Sequence, residues 1–175
     1  MLVLMRGWSG SGKSRIVQDF IKAVQDCAKD YSGSLVFSTD DFWLVDGKYV
    51  FDSARLAEAH DWTINRVRSL LKESGELFRG DDRHLFIDNT NIKLIYMQPY
   101  IDLAKEYDVP ACQYVPVEVM DAVYDWRKVD AVGMQRLALL TVYSHWKRSN
   151  HSVPFHTVVR WLEEFEIVNK LPYFV

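Results

Sequence analysis

Eight residues near the amino terminus, Gly7-Trp8-Ser9-Gly10-Ser11-Gly12-Lys13-Ser14, have the types and spacing of a phosphate cradle. They fit the pattern G-x-x-x-x-G-K-[ST], in which glycines let successive backbone N–H groups turn toward one anion. In such a loop Lys13 reaches the β- and γ-phosphates and Ser14 offers its hydroxyl to Mg²⁺. The N–H groups of residues 10–14 hold the β-phosphate, and bulky Trp8 falls at a free position. The spacing therefore predicts a nucleoside-triphosphate site formed by Gly7, Gly10, Ser11, Gly12, Lys13, Ser14 and the adjoining Arg15.

Two strand-like runs end in acids that suit the same chemistry. Leu35-Val36-Phe37-Ser38 leads into Thr39-Asp40-Asp41, and Leu85-Phe86-Ile87 leads into Asp88. Phosphoryl transfer to a hydroxyl needs an acid beside the γ-phosphate to orient the attacking oxygen and take its proton. Asp40, nearer the strand end, is the candidate base, with Asp41 a cap or a support for it. Asp88 stands where an acid partners a phosphate loop through Mg²⁺ and its waters, so Ser14 and Asp88 are the candidate metal residues. Both acidic sites also have a plainer reading. Paired acids after a strand more often cap a helix or face solvent, and Asp88 could cap a helix after Asn91. Asn89, Thr90 and Asn91 suit turns or caps equally well.

A third group occupies residues 143–161 (YSHWKRSNHSVPFHTVVRW), which hold Lys147, Arg148, Arg160 and three histidines but no acid. Phosphoryl transfer uses an extra cation over the developing charge, often carried by a mobile lid. Arg148 is the catalytic candidate alongside Lys13 and Asp40, with Lys147 second. A solvated helix end favoured by the helix dipole explains the same charges. Neither the histidines nor Cys27 and Cys112 show a metal-ligand spacing.

These residues need elements to hold them. Met1-Leu2-Val3-Leu4-Met5 has the length of a buried strand, and from Arg15 onward apolar residues recur at helical intervals. Strand, glycine turn, helix is the context the phosphate pattern requires, because the helix dipole adds to the anion field. A turn follows at Tyr31-Ser32-Gly33-Ser34, and residues 44–51, with Asp46-Gly47, read as a loop or short hairpin. Asp52 or Ser53 caps a helix over residues 55–74 that Gly75 could end, and Arg79-Gly80-Asp81-Asp82 is a polar turn. Helices are predicted for residues 92–107, with Pro99 in the first turns or at a kink, and for 118–127, 134–147 and 155–165. Residues 109–115 form another strand. Alternating strands and helices imply a parallel sheet, so acids at strand ends leave on the rim where ligands bind.

The whole chain of 175 residues reads as one domain, long enough to bury roughly 70 % of its unfolded surface. Residues 117–153 read as a helical stretch and lid within it. No apolar run approaches a membrane span. A strand starting at Met1 leaves no room for a leader, and two cysteines fit a reducing, cytoplasmic setting. The net charge of −3 argues against general charge-driven nucleic-acid binding, while leaving room for a local basic cleft.

In this order, GWSGSGKS, STDDF, FDSARLAEAHDW, IDNTN and KRSNHSVP resemble the polynucleotide-kinase-like branch of P-loop kinases. That branch includes the bacteriophage polynucleotide 5′-hydroxyl kinase and ATP-binding domains of some animal ubiquitin-ligase-binding proteins. The resemblance spans residues 1–165 and implies a three-layer α/β P-loop NTPase fold with a carboxyl-terminal helical lid. It implies ATP and Mg²⁺ as cofactors, Asp40 as base, Arg148 as lid arginine, and a basic groove for a DNA or RNA 5′ end. Trp43 stands where the phage enzyme has an acceptor-binding arginine, Arg15 replaces a common threonine, and residues 121–142 look like an added helical stretch. The expected activity is ATP-dependent phosphorylation of a hydroxyl, most simply a nucleic-acid 5′-hydroxyl. A small-molecule kinase and a non-kinase ATPase module are the alternatives.

Overall fold

The computed structural model describes residues 1–27, 34–80, 83–128, 132–149 and 153–168. Residues 31–33 of the turn expected at 31–34, the second half of that at 79–82, and His151 lie outside the described residues.

Four parallel strands form the central sheet: β1 (Leu2–Met5), β2 (Leu35–Phe37), β5 (Leu85–Ile87) and β6 (Ala111–Tyr114), in the order β2-β5-β1-β6. The hairpin β3 (Leu44–Val45) and β4 (Lys48–Tyr49) stands apart from it. Its turn residues Asp46 and Gly47 both have positive φ, 51° and 76°, which matches the right-handed twist of a two-residue hairpin. The helices are α1 (Lys13–Cys27), α2 (Leu56–Ser74), α3 (Leu94–Glu106), α4 (Val117–Arg127), α5 (Val132–Arg148) and α6 (Phe155–Glu164).

Side-chain alternation along β1 sorts these helices onto two faces. Leu2 and Leu4 pack with Phe37, Leu85 and Ile87 against Val67 and Leu71 of α2 and Met97, Tyr100 and Ile101 of α3. Val3, Met5 and Phe86 meet Val17, Ile16 and Ile21 of α1 on the other face. All four β1 residues are buried, as expected of a parallel strand covered on both sides. The result is an α/β fold with helices against both faces of a parallel sheet. A third cluster gathers Val119, Ala122 and Val123 of α4, Ala138 and Val142 of α5, and Val158 and Leu162 of α6 around Trp8 and Phe165. No helix among the described residues is long and apolar enough to cross a membrane.

Element boundaries depart from the periodicity where side chains tie down the backbone. The helix expected from Ile92 begins at Leu94, because Asn91 takes a left-handed φ of 45° and its amide donates to the Met5 carbonyl at 2.8 Å. Asparagine tolerates that conformation better than most residues. Glu166 then accepts from the exposed Leu94 N–H at 2.6 Å, a cap from residues distant in sequence. Pro99 sits inside α3.

Candidate functional site

Register brings the relevant strand ends level. Leu4 pairs with Ile87, and Ile87 with Phe37, so residues 5–7, 38–41 and 88–91 leave the sheet together at its carboxyl rim. The sheet order places β5, which leads into Asp88, beside β1, which feeds the glycine loop. Outgoing connections from these two neighbours run to opposite sides, the arrangement that opens a crevice in an α/β sheet.

The segment Asp88-Asn89-Thr90-Asn91 staples that crevice. Asp88 N–H donates to the Phe37 carbonyl at 2.9 Å, and Ser38 Oγ donates to the Asp88 carbonyl at 3.0 Å. Thr39 N–H donates to Asn89 Oδ1 at 2.8 Å, while Gly7 N–H donates to the Thr90 carbonyl at 2.9 Å. Turn-forming residues here join three strand ends to one another, and none of these bonds places Asp88 as a helix cap. Its Oδ1 is buried with no hydrogen-bond partner, a state shared by Ser11 Oγ among the described residues.

Lys13 opens α1 and is buried, 7 % exposed, with Nζ donating to the Trp8 carbonyl at 3.1 Å. Burial lowers its pKa, and the charges of Asp88 and then Asp40 pull it back up. One ammonium thus answers to both acids chosen from sequence. Ser14 lies exposed in the first turn of α1. Arg15 points away along α1, 85 % exposed and paired with Asp19 at 3.6 Å.

Asp40 and Asp41 take different parts. Asp41 completes a capping box with Ser38 and pairs with Arg66 at 3.4 Å. Asp40 accepts a hydrogen bond from the Tyr49 hydroxyl at 2.9 Å. Burial first, then the Asp40 charge and this bond, raise the Tyr49 phenol well above its ordinary value. The same charge acts on His60 of α2, whose pKa burial nevertheless holds low. Trp43 is buried, 2 % exposed, edge-on to Phe42 and Phe51.

Across the loop stands the last turn of α5. Trp8 Nε1 donates to His145 Nδ1 at 2.9 Å, and His145 Nε2 lies 2.8 Å from Glu118 Oε2. Ser9 Oγ and Ser149 Oγ are 2.6 Å apart. Gly10 has φ of +78°, and a Cβ there would fall 1.9 Å from the His145 carbonyl oxygen. Arg148 is exposed and pairs with Glu118 at 3.6 Å, while Lys147 lies over the Tyr143 and Trp146 rings at 5.6 Å. The helix expected to carry the lid cation therefore sits on the loop, with the cation itself held by a carboxylate of α4.

Two members of this assembly escape sequence patterning. Arg6 is 1 % exposed, donates to the carbonyls of Asn91, Ile92 and Glu166 and to Gln113 Oε1, and stacks on Phe165. Burial lowers its pKa to about 10, against the pull of Glu166. His145 is fully buried. The one signal for it was Trp8, a large donor-bearing side chain that a phosphate loop does not require. Among the described residues, no group of three or more His, Cys, Asp and Glu side chains is gathered to hold a metal.

No family model matches the chain. It is similar to human NEDD4-binding protein 2, 35 % identical over 107 residues. That stretch is 61 % of this chain but spans only 5 % of the length of that relative.

Proposed function

We propose that the chain is a P-loop kinase that transfers the γ-phosphate of ATP to a hydroxyl, with a nucleic-acid 5′-hydroxyl as the leading acceptor. The observation that carries this reading is the levelling of the strand ends that lead to the glycine loop, Asp40 and Asp88, with buried Lys13 within electrostatic reach of both acids. Sheet order and helices on both faces support the three-layer P-loop NTPase architecture, with α4 and α5 as the helical lid region.

The residues present fit Mg²⁺. Asp88 holds a buried carboxylate oxygen without a partner, and Ser14 offers an exposed hydroxyl at the start of α1. Mg²⁺ typically uses one or two protein oxygens plus phosphates and waters, so a three-acid cage is unnecessary. When bound, it would neutralise charge on the phosphates. Lys13 supplies a fixed positive charge in a water-poor site, where it acts more strongly than in solvent. Asp40 takes the proton of the acceptor hydroxyl as that oxygen bonds the γ-phosphorus and ADP leaves with the old bridging oxygen. Arg148 would leave Glu118 to meet the phosphates.

Labelled ATP with 5′-hydroxyl DNA and RNA oligonucleotides tests this. Wild type transfers label to a 5′ end, and Lys13→Ala and Asp40→Asn each lose about 100-fold or more in rate. Absence of transfer to every oligonucleotide removes the nucleic-acid acceptor. One observation favours a second reading, a small-molecule kinase. Trp43, at the position of the phage enzyme's acceptor-binding arginine, is buried and offers no cation. Label appearing on a nucleoside or metabolite panel alone would select that reading.

A further inference from the structure

We propose that His145 is a positioning residue that couples the phosphate loop to the lid: it holds Trp8 on one ring nitrogen and Glu118, the partner of Arg148, on the other. The inference rests on the kinase reading for its consequence, though the coupling itself is a property of the fold.

The hydrogen-bond chain has one possible sense. An indole N–H only donates, so His145 Nδ1, 2.9 Å from Trp8 Nε1, must be the unprotonated nitrogen. The ring proton therefore sits on Nε2, which donates to Glu118 Oε2 at 2.8 Å. Trp8 and His145 are both fully buried, so water does not compete for the bond between them, whereas Glu118 reaches the ring from an exposed position. The same Glu118 oxygen receives Arg148 at 3.6 Å from the solvent side. Backbone contact follows the side chains, with Gly10 against the His145 carbonyl and Ser9 bonded to Ser149. One imidazole thus sets where α5 ends relative to the loop, and where Arg148 waits.

Protonation breaks this arrangement, because an Nδ1–H would face the Trp8 N–H. The groups facing the ring are Glu118 of α4, Arg148 of α5 and Lys13 of α1. Burial outweighs the Glu118 hydrogen bond, Arg148 and Lys13 also oppose a positive ring, and the pKa is held below the ordinary histidine value. The hydrogen bond from His145 in turn is the main influence lowering Glu118. With a depressed folded-state pKa, the neutral ring and its contacts are intact above about pH 6.5. They are lost as pH falls through the lower folded value.

Two variants of the full chain separate coupling from mere packing. His145→Gln replaces the ring with an amide that can accept from Trp8 and donate to Glu118, and it does not titrate. His145→Leu keeps volume and loses both bonds. Measurements from about pH 7.5 to about pH 5 would follow ATP affinity, kcat and KM, and amide exchange at residues 145–149. Expected at neutral pH is His145→Gln near wild type, and His145→Leu about ten-fold weaker for ATP with faster exchange at those amides. In acid, wild type loses ATP affinity and protection together, while His145→Gln stays flat. Equal acid sensitivity in wild type and His145→Gln overturns the proposal, and so does unchanged exchange and affinity in His145→Leu. If His145→Leu does not fold, the pH comparison of wild type with His145→Gln decides alone. If wild type binds no ATP, the kinase reading falls, and the exchange data still test the coupling.

Discussion

Substituting alanine at Gly10 and, separately, at Gly12 tests whether α5 rests on the glycine loop. Both glycines lie at positive φ, +78° and +89°, so each substitution carries a similar backbone penalty of about 1–2 kcal/mol. They differ in what a new Cβ meets. At Gly12 nothing lies within 4 Å, whereas at Gly10 the Cβ would fall 1.9 Å from the His145 carbonyl oxygen and 2.7 Å from its carbon. Backbone atoms cannot rotate out of the way, so the last turn of α5 must retreat by roughly 1 Å or more to reach ordinary contact. That retreat pulls on the Trp8–His145 and Ser9–Ser149 hydrogen bonds, each contributing about 0.5–1.5 kcal/mol. Gly12→Ala is then expected to cost about 1–2 kcal/mol of unfolding free energy and Gly10→Ala about 2–5 kcal/mol. Denaturant titration gives both numbers, and amide exchange at residues 145–149 should quicken in Gly10→Ala alone. Equal losses, with α5 equally protected in both variants, would refute the claim that the helix seats on the loop.

Two further substitutions probe residues that only the fold brings into place. Arg6→Met leaves the Asn91, Ile92 and Glu166 carbonyls and the Gln113 amide without their donor, and is expected to lower stability by about 3 kcal/mol or more. An unchanged denaturation midpoint would show that the Arg6 network adds nothing net. On the proposed kinase reading, Tyr49→Phe removes a hydroxyl that donates to Asp40 where the acceptor hydroxyl would donate. Its acceptor KM should fall about five-fold with KM for ATP unchanged, from the loss of one competing hydrogen bond. A higher acceptor KM would mean that Tyr49 helps hold the acceptor instead.

The elements around the loop were legible because their cause is local. An apolar run, a glycine turn and helical spacing determine β1 and the start of α1 wherever the chain goes next. Asp46-Gly47 marked a loop or short hairpin for the same reason, and the hairpin is what forms. Strand ends were readable as well, since Asp40 and Asp88 each follow a hydrophobic run. The cap role of Asp41 was readable too, and Asp41 completes a capping box with Ser38, whereas its Arg66 pairing was not, because that depends on α2 packing against residues 38–41. The Asn91 tether that delays α3 was hidden similarly, as its partner is the Met5 carbonyl, 86 residues away in sequence.

Sequence by itself determined the local features: a glycine-rich loop ending in a lysine, and acids at two strand ends. Those features follow from residue type and short spacing, which the chain carries unfolded or folded. Tertiary structure alone decided which of them share a site. Strand order sets β5 beside β1, register levels their ends, and burial makes Lys13 sensitive to Asp88 and Asp40. The same packing encloses Trp8 between α4, α5 and α6, where its N–H must find a buried acceptor. His145, 137 residues away in sequence, meets that need. Long-range partners of this kind are fixed by the cost of an unpaired polar group in the core, a quantity that exists only once the core has formed.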